Sequence, residues 1–496
     1  MQLAPEHIAH IRQEFATMST KDEFVALLNY AKELLIGAHY KHFELKQITY
    51  YANPKASGRR YRKFEIKKKS GGVRIIHSPV KGLSLIQRCL NLILQCVFTP
   101  HDAAKGFVQG KSIVDNAKMH VGRNYVYNID LKDFFPSIDQ ARVWKCLQLA
   151  PFNLKDTQAK YDSFDELSAA SRTIFILMWQ KMNPKPEEFP ADWFGYLISF
   201  SKAKTNSDKA DELSKLRQIF VGIIREQKYP EQKTILQKIL RNWWDNITGG
   251  RLQIANIMSS LCCNEMYVER IVDGQWQQVK KNVLPQGAAT SPLITNVICQ
   301  RLDYLLTGVA KRFGLRYTRY ADDITFSSQH NIFKEDCEFI KELRRIIAEQ
   351  GFHIKESKVR LQQTAFRQEV TGLIVNKTVN VNQNYIKQLR MWLYNWERYG
   401  YDRAYNYFLP SYFASKTTPV KGKPDMANVI DGKLNYLKMV KGGESEMYLK
   451  LRERYNNLIN SPILAIAEKE SHLDSVLKIL INEGLEKAMQ IYHPKK

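Results

Sequence analysis

The stretch RYTRYADDITFSS, residues 316–328, sets strand-forming residues on both sides of two adjacent acids, Asp322 and Asp323. RYTRYA (316–321) and ITFSS (324–328) read as two strands joined through that pair, a hairpin with both carboxylates at its tight bend. Like charges this close repel and raise each other's pKa unless a cation neutralises them. An acidic pair alone also suits a solvated turn, so the decisive observation lies elsewhere in the chain. The run YVYNID (125–130) reads as a buried strand that ends in a third acid, Asp130, and a neighbouring position in one sheet would bring Asp130 against Asp322. Three carboxylates suit Mg²⁺, which binds through a few acidic oxygens and leaves the rest of its octahedron to waters and phosphates. Two such ions serve in-line phosphoryl transfer. Asp133 is the local competitor of Asp130, but it falls in the turn DFFPS and is expected to cap the helix near Asp139.

Outward from these strands the spacing predicts an amphipathic helix over 22–36, with Phe24, Leu27, Leu28, Ala31, Leu34 and Leu35 at helical intervals. The short runs Tyr61 to Ile66 and Val73 to Ile76, separated by KKKSGG, predict a hairpin with Gly71 and Gly72 in its turn. A helix follows over about 83–98, and further helices are expected near 140–149, 165–182, 210–241, 252–267, 290–307 and 334–350. VTGLIVN (370–376) reads as a strand before a helical C-terminal region. Strands from distant segments with helices packed beside them indicate an α+β fold. The stretch 151–250 is richer in Lys, Glu, Asp and Ser, carries NPKPEEFPADW (183–193) and the pair Trp243 and Trp244, and reads as an inserted helical module.

The 496-residue chain carries 74 Lys and Arg against 50 Asp and Glu, a formal charge of +24. That balance points to a polyanionic partner, and nucleic acid fits better than a membrane, because no apolar run is long enough to span one. Met1 to Thr20 lacks the pattern of a secretory signal, so a cytoplasmic protein is expected. The seven cysteines include no C-x-x-C pair and fall in apolar stretches, which disfavours a zinc site or a disulfide framework.

NIDLKDFFPSI (128–138), LPQGAATSP (284–292) and YADD (320–323) occur in the order of the palm motifs of reverse transcriptases. Together with NAKMH (116–120) and VTG (370–372) they resemble the retron and related defence-associated bacterial enzymes, over roughly 60–145 and 255–455. The resemblance implies a right-hand polymerase with a ferredoxin-like palm: an N-terminal helical cap (1–60), fingers (61–115), a palm with its helical insertion (116–375), and a thumb with C-terminal helices (376–496). It implies that Asp130, Asp322 and Asp323 are both catalytic and metal-binding, holding two Mg²⁺ ions, with Mn²⁺ as the alternative. Phe135 matches the steric gate under the incoming sugar. Gln286 and Gly287 match the loop that lines the nucleotide pocket, although Ala289 stands where the family pattern has proline. Arg74 matches a triphosphate-binding arginine, Lys68 lies on the same hairpin, and Lys358 resembles the lysine that meets departing pyrophosphate. Asn116, His120, Thr371, Gly372, Lys387 and Arg390 are the implied nucleic-acid contacts. The implied partners are a noncoding RNA template, the cDNA product and dNTPs, with a second protomer or an effector protein as further candidates and no membrane. The implied activity is RNA-directed DNA synthesis in antiphage defence. Protein-primed or untemplated repetitive synthesis, and a non-catalytic RNA-binding scaffold, are the rival readings.

Overall fold

A computed structural model describes residues 3–53, 60–67, 71–155, 250–334, 336–414, 416 and 422–460, with isolated positions between 218 and 237. Elements are numbered over these residues. Lys68, the expected helices at 165–182 and 210–241, and nearly all of the insertion lie outside them.

The N-terminal helices α1 (Pro5–Thr17) and α2 (Lys21–Ile36) pack against α4 (Lys81–Val97), whose apolar face of Leu83, Ile86, Leu90, Ile93 and Leu94 is fully buried, while α3 (Leu45–Ala52) packs on α2 and on α7 (Arg251–Cys262). A capping box, Thr20 with Glu23, starts α2. Arg251 fastens this layer to the palm by donating from Nη1 to the carbonyls of Ala16 and Met18, both at 2.8 Å.

The strands β1 (Tyr61–Lys67) and β2 (Val73–Pro79) form the expected antiparallel hairpin. Its base is pinned from inside: Arg60 is buried and donates from Nη2 to the carbonyls of Ser260 and Cys263, at the end of α7 (Arg251–Cys262). A cation there is doubly suited, meeting orphan carbonyls and the negative end of the helix dipole.

Between them lie α5 (Ile113–Lys118), β3 (Tyr125–Asp130) and α6 (Gln140–Leu147). The N-cap of α6 is Asp139, not Asp133. Asp133 instead sits in the turn after β3 at φ 46°, where its carbonyl accepts from the Ser137 amide, and Asp139 pairs with Arg270 at 2.6 Å.

A second correction concerns 252–267. The helix stops at Cys262, and a hairpin of β4 (Asn264–Val272) and β5 (Gln275–Val283) follows, closed by Asp273 and Gly274 at φ 51° and 78°. After α8 (Ser291–Arg312) come β6 (Arg316–Tyr320), β7 (Asp323–Ser328), α9 (Glu338–Glu349), a 3₁₀ turn (Glu356–Lys358) and β8 (Arg360–Gln363). The central sheet is antiparallel in the order β6-β7-β3-β8. Leaving the β4–β5 hairpin aside, this is the strand order of a ferredoxin-like βαββαβ unit. Its apolar residues, Ile129, Ile324 and Phe326 among them, pack with those of α8 and α9 in one core that extends to the N-terminal helices.

The segment 370–376 is not one strand. Two short strands, β9 (Glu369–Val370) and β10 (Leu373–Ile374), flank a turn at Thr371 and Gly372 with φ of 47° and 82°. Beyond it a second core joins α5 and this turn to α10 (Gln383–Ala414, broken at Gly400), α11 (Met426–Lys441) and α12 (Glu446–Asn460). The α+β, right-hand polymerase arrangement is therefore present, with fingers hairpin, palm sheet and helical thumb. All seven cysteines are free, and five of them are buried.

Candidate active site

The palm sheet does what the separate motifs require. β3 and β7 pair so that Asp130 lies opposite Asp323, and the amide of Leu131 donates to the carbonyl of Asp322 at 3.0 Å. Three acids from two segments almost 200 residues apart in sequence therefore meet at one end of the sheet. Asp322 is half-buried, and its carboxyl is held above the usual range, first by lost solvent and then by the Asp130 charge, with Lys358 and Arg74 opposing. Asp323 opens to the cleft, yet the protein around it strips enough water that, with Asp322 and Asp130 nearby, its pKa is pushed up to about 6.

One cation already answers this charge. Lys358, on the 3₁₀ turn before β8, donates from Nζ to Asp130 Oδ2 at 2.5 Å. The turn is fixed to the same residue by a backbone bond from the Lys355 amide to the Asp130 carbonyl at 2.8 Å. Arg360, two residues on and facing the same way, also lowers the Asp323 pKa. It was not among the residues expected from sequence, although the alternation of Lys358 and Arg360 across a strand start was a usable signal. A cleft of about 400 Å³ opens here, lined among others by Asp130, Asp323, Lys358, Arg360, Thr371 and Gly372.

Among the described residues no three His, Cys, Asp or Glu side chains are closed into a ready-made metal cage. The donor set still fits a hard divalent cation: oxygen ligands, excess negative charge, and an open cleft where water and phosphate complete the shell. The charge imbalance carries an expected result. Because Asp323's pKa lies above its ordinary 3.8, the folded protein binds the extra proton between about pH 4 and 6, and stability falls as pH rises through that window. Asp323→Asn should therefore raise metal-free stability at pH 7.5, by about 1 kcal/mol once solvent screening is allowed for. Thermal unfolding in EDTA reads this; a gain of the same size at pH 4 would mean that charge is not its source.

The fingers hairpin and the 284–292 loop are built as a unit. The His77 amide donates to the Gln286 carbonyl at 2.8 Å, and Gly287 has φ 122° with space so tight that a Cβ would lie 2.7 Å from the His77 carbonyl. Only glycine meets both demands. Arg74 is exposed on β2 and close enough to act on the Asp322 charge. Phe135 is half-buried between Phe107 and Phe134, whereas Phe134 is core and packs on Phe352.

The six residues implied as nucleic-acid contacts divide. Thr371 and Gly372 line the cleft, and Lys387 and Arg390 are exposed on α10. Asn116 and His120 are buried, which leaves no edge for nucleic acid. His120 engages Ser327 Oγ and Thr318 Oγ1 through its two ring nitrogens, each at 2.7 Å, and so clips β7 to β6. Burial, reinforced by Arg316 and Arg123, pushes its pKa down to about 3, so the ring is neutral. Asn116 lies behind the Thr371 turn, with its Nδ2 3.5 Å from Thr371 Oγ1. Both are supports of the site.

Residues 237–380 match the family described as reverse transcriptase (RNA-dependent DNA polymerase). That match takes in Gln286, Gly287, Asp322, Asp323, Lys358, Thr371 and Gly372; Asp130 lies outside it and is brought in by the fold. The chain is 26% identical over 396 residues to the retron Mx65 reverse transcriptase of Myxococcus xanthus, covering 79% of this chain and 66% of that protein. It is 26% identical to the retron Mx162 enzyme of the same organism, covering 71% and 54%. For the retron Ec86 enzyme of Escherichia coli the identity is 24%, covering 67% and 68%. The chain is thus similar to retron reverse transcriptases around a segment that matches the reverse-transcriptase family, and its matches span between about half and two thirds of the length of these relatives.

Proposed function

We propose that this protein is an RNA-directed DNA polymerase that copies a cognate noncoding RNA into cDNA. The observation that carries the reading is the pairing of Asp130 with Asp323, which joins an acid outside the matched domain to the acidic pair within it. Asp130, Asp322 and Asp323 would hold two Mg²⁺ ions, or Mn²⁺ in their place. Divalent cations at such a site make the primer hydroxyl a better nucleophile and offset charge on the leaving pyrophosphate. The remaining roles belong to the chain. Arg74 meets the triphosphate, for which a guanidinium fork is well shaped, and Lys68, close to it in sequence, adds charge. Lys358, released from Asp130 when the acids gain another cation, stands where it can hand a proton to pyrophosphate. Gln286 and Gly287 form the pocket wall, Thr371 and Gly372 border the primer side, and Lys387 and Arg390 grip backbone phosphate.

Phe135 is assigned to the sugar gate. Phe135→Ala is expected to raise ribonucleotide incorporation relative to deoxynucleotide by about 10²-fold, the scale on which an apolar wall rejects one added hydroxyl. An unchanged ratio would return Phe135 to the core. A cytoplasmic location and a role in antiphage defence complete the proposal; among the described residues no helix is long and apolar enough to cross a membrane. Extension of an oligo(dT) primer on poly(rA) with dTTP and Mg²⁺ tests the polymerase directly. Incorporation that is destroyed by ribonuclease treatment of the template is the expected result, and RNA binding without incorporation would favour a scaffold.

A further inference from the structure

The bend that carries Asp322 and Asp323 is conformationally unfavourable. Tyr320 and Asp323 pair across a two-residue loop whose first residue, Ala321, has φ 58°, a position where hairpins favour glycine. Something must hold an alanine there, and the surroundings show what. Arg319, two residues earlier on β6, is fully buried and its guanidinium donates from Nη1 to the Ala321 carbonyl at 3.2 Å. Its other nitrogens go to Asp303 on α8, Nε to Oδ1 at 2.8 Å and Nη2 to Oδ2 at 2.6 Å, and to Asn296 Oδ1 at 3.0 Å. Asp303 also accepts from the Tyr317 hydroxyl at 2.7 Å.

The same network reaches the other side of the bend. Asn296 Nδ2 donates to the Gly106 carbonyl at 3.0 Å, and residue 106 has no room for a side chain: a Cβ there would lie 2.5 Å from the Ala321 amide nitrogen. The chain before Gly106 is laced to β6 at Arg319 itself, by amide bonds from Arg319 to Ala103 and from Lys105 to Arg319, both 2.8 Å. Ala321 is therefore gripped at its carbonyl by Arg319 and pressed at its nitrogen by Gly106, with Asn296 tying the two together.

We propose that Arg319, Asn296 and Gly106 are positioning residues that hold the Ala321 bend so that Asp322 and Asp323 can share divalent cations with Asp130. The proposal rests on the metal-binding reading above. Arg319 touches no reacting atom; it acts through the backbone of Ala321. A planar fork with several donors is required, because a lysine could pair with Asp303 but could not reach Asn296 and Ala321 at once.

Two variants approach the bend from opposite sides. Arg319→Lys keeps the charge balance with Asp303 and removes the fork; Gly106→Ala removes no side-chain hydrogen bond and pushes on the Ala321 nitrogen. Mn²⁺ binding to the full chain without nucleotide, followed by electron paramagnetic resonance, separates this role from general folding, which circular dichroism melts report. Both variants should melt cooperatively and bind Mn²⁺ about 10–100-fold more weakly, the usual effect of disturbing groups that orient metal ligands. The Mg²⁺ concentration for half-maximal synthesis should rise in parallel. Folded variants with unaltered Mn²⁺ affinity would overturn the proposal, and Gly106→Ala alone decides if Arg319→Lys does not fold. If the unmutated chain binds no Mn²⁺ that Asp322→Asn abolishes, the metal-binding reading itself fails and this inference falls with it.

Discussion

Asp322→Asn is expected to lower nucleotide incorporation by roughly 10³-fold or more while the protein stays folded. The substitution keeps shape and removes one negative charge from a site where cations do most of the charge stabilisation. Metal-ion assistance amounts to several kcal/mol, and each 1.4 kcal/mol or so is a factor of ten in rate. Its fold should not suffer, because Asp322 is poorly solvated and lies beside Asp130, so its ionised form is strained before any cation arrives. Rate and melting temperature measured together separate the two effects. Incorporation within tenfold of the unmutated protein would remove Asp322 from the catalytic set.

The second large effect concerns stability. Arg319 and Asp303 are both completely buried, so Arg319→Met leaves a carboxylate in the core with the Tyr317 hydroxyl and no counter-charge. Breaking a buried pair from one side typically costs about 3–5 kcal/mol, whereas replacing both partners by apolar residues is often neutral. Arg319→Met should therefore melt well below the unmutated chain, and Arg319→Met/Asp303→Leu should recover much of that loss. Synthesis should stay low in the double variant, because the Ala321 carbonyl still lacks its donor. A double variant that regains stability and full synthesis would show that Arg319 only balances Asp303.

Much of this site was legible in the sequence because its signals are local. Adjacent acids between strand formers, an apolar strand ending in Asp130, and glycines at turns each carry their own physical reason. The β4–β5 hairpin was missed even though Asp273-Gly274 is a strong turn signal, because β5 is almost wholly exposed and shows no apolar alternation to mark it as a strand. The split of 370–376 was hidden for the opposite reason: Val370, Leu373 and Val375 are all buried, so the run reads as one continuous strand. Burial also separates contact from support. Asn116 and His120 read as polar residues near the first acidic strand, and only the fold shows that His120 spends both ring nitrogens on Ser327 and Thr318. Asp303 on a helix and Arg319 on a strand look like ordinary solvated charges until α8 and β6 are packed together.

The most direct test is to purify the full chain with whatever RNA it retains, supply Mg²⁺ and all four dNTPs, and sequence the DNA formed, beside an Asp322→Asn/Asp323→Asn control. The account predicts DNA complementary to the retained RNA from the unmutated protein alone. RNA retained by a well-folded protein that makes no DNA with Mg²⁺ or Mn²⁺, or equal DNA from the double variant, would contradict it.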